Sequence, residues 1–152
     1  MIDKKRNEKI ITLVDKYTAF EGFKFIFRSN DVCSVCNYYN ICNKLEEGRV
    51  YEVVGIIKTK NKIFCKATNE YMQPVEVKLS SIVTSIRGGI PFDTDVIVHW
   101  HSIDCGYKEC KFRNICFPTG LKDGDKIKIK EIIGRVHCPL NYNLLEINAE
   151  LV

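Results

Sequence analysis

The sequence lacks several features that would define a function by themselves. Nowhere in its 152 residues is there a run of about eighteen apolar residues, the length that a membrane-spanning helix needs. Histidine occurs only three times, and no Ser–His–Asp or paired-carboxylate arrangement can be identified. The segment Arg87–Pro91 contains two glycines but lacks the Lys-Ser/Thr pair of a phosphate-binding loop, so we interpret it as a turn. These absences predict a chain without a transmembrane helix and favour a role other than catalysis.

The N-terminal segment also lacks the pattern of a signal peptide. Five of the six residues Asp3–Glu8 are charged, and the apolar stretch Ile10–Val14 that follows is too short for a secretory leader. We therefore expect a strand there, and a cytoplasmic protein with no membrane partner. Cysteine, by contrast, is abundant, with eight residues. In a reducing cytoplasm clustered cysteines bind metal more often than they form disulfides, although some heat-adapted archaea do make intracellular disulfides.

The cysteines divide the chain into two similar halves. Their spacing is C-x2-C-x5-C-x22-C in the first half and C-x4-C-x5-C-x21-C in the second. Both halves place Asn-Ile directly before the third cysteine, and both follow it with a segment that ends in glycine, Leu45–Gly48 and Leu121–Gly124. An alternating strand pattern precedes each first cysteine and follows each of these glycines. The sequence therefore predicts an internal duplication.

We predict a mainly β fold made of two copies of a small β-rich unit, each carrying a four-cysteine metal site. Helix is expected only as short turns after Cys36 and Cys110. The turn at Arg87–Pro91 predicts repeats at 1–87 and 88–152, which form two lobes or pack as one compact domain. Besides the strand at Ile10–Val14, alternation predicts strands at 50–57, 75–79, 126–133 and, in part, 143–152.

Each half groups three cysteines closely and adds a distant fourth. Zinc ribbons usually divide their ligands two and two, whereas a compact trio with a distant fourth is more typical of cubane four-iron clusters. Four thiolates leave no ligand position for a substrate or a water, which favours electron transfer or a structural role over Lewis-acid catalysis. The sequence thus favours two 4Fe-4S clusters, with two zinc ions as the alternative. The predicted ligands are Cys33, Cys36, Cys42 and Cys65 for one site and Cys105, Cys110, Cys116 and Cys138 for the other.

A set of basic and aromatic residues lies close to these cysteines in the chain: Tyr38, Tyr39, Arg49, Lys111, Phe112 and Arg113. Such side chains on a β fold can stack bases and hold phosphates, so they are candidate contacts for RNA or for a protein partner. The alternative interpretation is that the rings pack over the metal sites. The formal charge of +4 is weak support for a polyanion partner, because two metal–thiolate sites of about −2 each would bring it close to zero.

Several of these motifs resemble those of an uncharacterised archaeal family, number 0179 of the UPF series. In the second half the resemblance lies in the cysteine spacing, in Gly120–Lys126 and in Cys138-Pro139-x-x-Tyr142; the first half agrees through Leu45–Arg49 and Tyr51. The resemblance spans nearly the whole chain. It implies an archaeal, often anaerobic host, in which oxygen-sensitive clusters are easily kept, and it implies no activity.

Together these observations suggest two hypotheses of different classes. The favoured one is a protein that holds two iron–sulfur clusters for electron transfer or in support of a partner enzyme. The other is a zinc-stabilised module that binds RNA or protein, with a link to translation. The first predicts a coloured protein, and the second predicts a colourless protein whose affinity for RNA falls as salt rises.

Overall fold

The computed structural model describes residues 8–29, 35–88 and 94–152. Within these ranges the chain is mainly β, with nine strands and two helices of four residues each. The chain divides into two compact units, Met1–Ser80 and Ser81–Val152, and each unit has its own antiparallel sheet. Neither helix of the described residues has the length or hydrophobicity needed to cross a membrane.

The first unit forms its sheet from strands that are far apart in the chain. Its strand order is β1-β5-β3-β2, and β4 also pairs with β5. Alternate residues of β3 and β5 form the core of this unit. They are at most 3% exposed: Tyr51, Val53, Val75 and Val77. Burying each of these valines contributes about 1.5–3 kcal/mol. The elements are β1 (Ile10–Asp15), β2 (Lys24–Ile26), α1 (Tyr39–Cys42), β3 (Val50–Ile56), β4 (Ile63–Cys65) and β5 (Glu70–Leu79).

The second unit repeats this arrangement with fewer strands. Its order is β6-β9-β8-β7, which is the order of the first sheet with each strand replaced by its counterpart. The core is formed by alternate residues of β8 and β9, among them the fully buried Ile127, Ile129 and Ile147. The elements are β6 (Ile82–Arg87), β7 (Ile97–His99), α2 (Arg113–Cys116), β8 (Lys126–His137) and β9 (Asn143–Leu151).

The two units also match in the turns that precede their long strands. The Gly48 N–H donates to the carbonyl of Phe27 at 2.9 Å, and the Gly124 N–H donates to the carbonyl of Trp100 at 2.8 Å. Both glycines have positive φ, 82° and 90°, a conformation that other residues adopt only with strain. The shared strand order and the shared turn support the duplication that the cysteine spacing predicts.

The boundary between the units differs from the expected one. It lies between Ser80 and Ser81, earlier in the chain than the predicted division between 87 and 88. The reason is β6, which no pattern predicted: its residues pair with β9 from Ile82↔Ala149 to Arg87↔Leu144, so this strand belongs to the second sheet. Positions 89–91 of the predicted turn lie outside the described residues.

The other predicted elements are present. The expected strands at 10–14, 50–57, 75–79, 126–133 and 143–152 correspond to β1, β3, β5, β8 and β9, although β8 continues to His137 and β5 starts at Glu70. The short helical turns after Cys36 and Cys110 are α1 and α2. In the described residues helix is therefore confined to two single turns, as the sequence predicts.

Candidate metal centre

The loop that carries Cys105 is held by side chains from two other segments of the second unit. Ser102 donates its backbone N–H and its hydroxyl to the carboxylate of Asp123, at 2.6 and 3.3 Å. The hydroxyl of Tyr142 donates to the carbonyl of Asp104 at 3.4 Å. The first pair of bonds anchors the loop to the turn before β8, and the last brings Cys105 towards the turn between β8 and β9.

The helical turn α2 places two more cysteines. The Arg113 N–H donates to the carbonyl of Cys110 at 3.1 Å, and the Cys116 N–H donates to the carbonyl of Phe112 at 3.0 Å. The Phe112 N–H also lies 3.4 Å from Cys110 Sγ, where it donates to the sulfur. Backbone N–H groups that donate to a sulfur are common around metal-bound cysteines.

The last cysteine of this unit, Cys138, begins the turn between β8 and β9. The carbonyl of Cys138 accepts the Asn141 N–H at 2.9 Å. Asn141 has a φ of 63°, a left-handed conformation that asparagine tolerates better than most residues. The fourth cysteine is thus presented by a tight turn at the end of a long, well-paired strand.

All four cysteines of the second unit line one pocket, although they are spread from position 105 to position 138. The cavity itself is small, about 20 Å³ in volume, which is room for about one water molecule. Its other walls are mostly apolar or aromatic, so the thiols are the main polar groups that face it. The remaining lining residues are Ile103, Tyr107, Phe112, Arg113, Phe117, Val136, Pro139, Leu140, Tyr142 and Leu144.

Cys116 is the most enclosed of the four thiols. It is 9% exposed and belongs to a core cluster with Ile103, Val136 and Leu144. The hydroxyl of Ser85, on β6, donates to Cys116 Sγ at 3.1 Å. Cys116 is therefore packed like a core residue while its sulfur keeps a polar partner.

The other three cysteines of the pocket lie close enough to Cys116 to affect its ionisation. Burial raises the pKa of the Cys116 thiol; the Ser85 hydroxyl lowers it, and the negative charges of Cys110, Cys138 and Cys105 raise it further, so the net shift is upwards. Thiolates that repel one another in this way would be stabilised by a bound cation.

The cysteines share this pocket without converging on one point. Among residues 8–29, 35–88 and 94–152, no group of three or more His, Cys, Asp or Glu side chains is arranged to hold a metal ion. A single zinc would need its four sulfurs about 2.3 Å from one centre. The predicted role of Cys105, Cys110, Cys116 and Cys138 as metal ligands stays a prediction.

The first unit builds the same helical turn. The Tyr39 N–H donates to the carbonyl of Cys36 at 3.1 Å, and the Cys42 N–H donates to the carbonyl of Tyr38 at 3.0 Å, as in α2. Cys42 and Cys65 line a common pocket, which is also bordered by apolar side chains of β1 and β2. Cys33, the fourth predicted ligand of this site, lies outside the described residues.

Cys65 has hydrogen bonds that stabilise its thiolate. Burial raises the pKa of Cys65, but the hydroxyl and N–H of Thr68 and the N–H of Ala67 outweigh it and bring the pKa below its ordinary value. Backbone N–H groups two and three residues after a cysteine are common donors to metal-bound sulfur, because the turn aims them at the sulfur.

One predicted contact for RNA or a protein partner is corrected by the structure. Arg49 is only 3% exposed, and its Nε lies 3.2 Å from Glu46 Oε1. A guanidinium that is buried and paired in this way presents no surface to a phosphate. The burial of Arg49 could not be predicted from the neighbouring sequence, because Arg49 follows a glycine turn, and such turns are usually exposed.

The other five predicted contacts differ in exposure. Tyr39 and Lys111 are exposed and Tyr38 is half-buried, whereas Phe112 lines the cysteine pocket and packs against the core. The guanidinium of Arg113 lies 4.5 Å from the ring centroid of Phe117. Of this set, Phe112 agrees with the interpretation that aromatic rings pack over the site.

The sequence did not predict three residues that contact or position the cysteines. Ser85 and Thr68 donate hydrogen bonds to cysteine sulfurs, and Tyr142 holds the loop that carries Cys105. No signal in the sequence indicated Ser85, since no pattern predicted β6; the structure buries Thr84 and Ser85, two adjacent hydroxyl residues of that strand. Buried hydroxyls need partners, so they indicate a polar group nearby.

Comparison with known proteins places the chain among archaeal relatives. The model of the uncharacterised protein family UPF0179 matches residues 10–149. A UPF0179 protein of Methanosarcina barkeri is 34% identical over 140 residues, which cover 90% of this chain and 93% of the relative. One of Methanocaldococcus jannaschii is 28% identical over 148 residues, covering 95% and 96%. One of Picrophilus torridus is 27% identical over 141 residues, covering 91% and 98%. No solved structure matches the chain.

Proposed function

We propose that this chain, which belongs to the uncharacterised protein family UPF0179, holds two iron–sulfur clusters and serves electron transfer or a partner enzyme. The observation that carries the proposal is the pocket of the second unit, around which the fold gathers Cys105, Cys110, Cys116 and Cys138. Four thiols on one mostly apolar pocket are a donor set for a soft metal group.

The spacing of the cysteines favours a cluster over a single zinc ion, because each half groups three cysteines closely and adds a distant fourth. In the second unit the fold brings the four cysteines of this pattern to one pocket. A cubane would take one thiolate on each of its four irons, whereas a single zinc would need all four thiolates at one centre.

The surroundings of the sulfurs fit the same role. Ser85 and the Phe112 N–H donate to Cys116 and Cys110, and such donors stabilise the negative charge of a cluster. The apolar wall limits water at the sulfurs. When bound, the cluster would supply one-electron chemistry, while the chain holds it, shields it and sets its charge environment.

The first test is anaerobic purification followed by visible absorption and metal analysis. We expect a brown protein whose absorption bleaches on reduction, with about eight irons per chain if both sites hold cubanes. A colourless protein with about two zincs would overturn the proposal and favour the zinc-stabilised binding module.

Matched variants assign the metal to the two units. Cys116→Ser and its counterpart Cys42→Ser should each lose about half of the iron, since each removes one ligand of one site. Ile115→Val, a conservative change beside Cys116, should keep all of it. Iron content unchanged in both cysteine variants would show that these thiols are not ligands.

A further inference from the structure

Two adjacent hydroxyl residues of β6 bond to two adjacent residues of α2. The Thr84 hydroxyl donates to the carbonyl of Ile115 at 2.9 Å, and the Ser85 hydroxyl donates to Cys116 Sγ at 3.1 Å. Thr84 and Ser85 are at most 1% exposed, so no water competes for these bonds. The strand therefore holds the helical turn in place and delivers one hydroxyl directly to the sulfur.

The first unit cannot make this bond through the matching position. The register of the two sheets identifies Leu13 as the counterpart of Ser85. Ser85 pairs with Glu146 in β9, and Leu13 pairs with Pro74 in β5. A threonine precedes each of them, Thr84 in β6 and Thr12 in β1. Leu13 is buried, and it lines the pocket that Cys42 also borders. A leucine side chain has no O–H or N–H group to donate, so the duplicated sites differ at this point.

We infer that Ser85 is a positioning residue that stabilises negative charge on the second site through Cys116 and thereby raises the reduction potential of that site. The inference rests on the proposed function. Reduction adds one electron to a cluster, and its thiolate sulfurs share the added negative charge. An O–H that points at one sulfur stabilises the reduced state more than the oxidised state, and the effect is strong because the site is buried.

The expected size of the effect follows from one hydrogen bond to a charged group. Removing the hydroxyl should lower the reduced-to-oxidised ratio of the second site about tenfold at a given ambient potential, which is about 59 mV for one electron. The first site should keep its potential. Two sites made from the same repeat would then differ in reduction potential.

The test is an anaerobic redox titration, followed by electron paramagnetic resonance, of the full-length wild type and three variants. Ser85→Ala should lower one of the two reduction potentials. Ser85→Thr, which keeps a hydroxyl, should leave that potential close to its wild-type value. Ser81→Ala is the matched control, because it removes a serine hydroxyl of the same unit from a residue that does not line the cysteine pocket. Iron content is measured in each variant.

The outcomes separate the inference from the proposed function. Equal potentials in wild type and Ser85→Ala at full iron content would overturn the inference, even if stability falls, since a purely structural role leaves the potential unchanged. If the protein carries zinc, both the proposed function and the inferred effect on the reduction potential are overturned. Competition with a zinc chelator then tests whether the Ser85 hydroxyl still stabilises the site. Zinc affinity about tenfold lower at one site in Ser85→Ala would keep Ser85 as the donor to Cys116, and an unchanged affinity would remove that role as well.

Discussion

The hydroxyl of Thr84 connects two buried groups of the second unit, and its removal is a sharp test of how the unit is held together. It accepts the indole N–H of Trp100 at 3.0 Å and donates to the carbonyl of Ile115 at 2.9 Å. Trp100 and Thr84 are 4% and 0% exposed, so water cannot replace the lost partner. Thr84→Val keeps the shape of the side chain and removes only the hydrogen bonds.

The magnitude follows from the two groups that lose their partner. Each buried polar group left unsatisfied costs about 1–3 kcal/mol, so we expect a loss of about 3 kcal/mol in the free energy of unfolding. For a unit of this size about 1 kcal/mol lowers the Tm by 4–8 °C, which gives a fall of about 12–24 °C. The protein has one tryptophan, so Trp100 fluorescence reports the unfolding of the second unit alone.

A double-mutant cycle isolates the bond from other effects of the substitution. Trp100→Phe removes the N–H donor, so Thr84→Val should cost about 1 kcal/mol less in that background than in the wild type. Circular dichroism replaces fluorescence for the variants that lack tryptophan. Strictly additive effects of the two changes would show that Thr84 and Trp100 are not coupled, and the account of this hydrogen-bonded chain would be wrong.

Two further predictions concern the turn before β8. Gly124 has a φ of 90° and open space around it, so Gly124→Ala should lower the free energy of unfolding by about 1 kcal/mol through backbone strain. Gly134 also has open space around it but no positive φ, so Gly134→Ala should cause no such loss. Denaturant unfolding compares the two variants, and equal losses would show that backbone strain at Gly124 is not the cause. The backbone and side-chain hydrogen bonds from Ser102 lower the pKa of Asp123. A carboxyl whose pKa is lowered in the folded state stabilises the protein above its ordinary pKa of 3.8, and this stabilisation is lost as the pH falls through the folded-state pKa. Asp123→Asn should therefore be less stable than the wild type at pH 7 and equally stable in acid, as measured by denaturant unfolding at each pH. A difference in stability that persists in acid would refute this prediction.

The amino-acid sequence alone determined the repeating framework. Cysteine spacing, alternation and the two turn glycines predicted the duplication, nearly all strands and both helical turns, because these signals are local and each repeat carries them independently. The motifs around Cys105–Tyr142 and Leu45–Tyr51 also indicated the family, which the match over residues 10–149 confirms.

Only the tertiary structure decided which of those local elements meet. β6 belongs to the second sheet because its partner β9 lies some sixty residues later in the chain, and no local pattern contains that pairing. The same long-range pairing buries Ser85 against Cys116, while the packing of the first unit buries Arg49 beside Glu46. Side-chain partners of this kind depend on register between distant strands, so spacing along the chain predicts that a cysteine site forms but not which residues surround it.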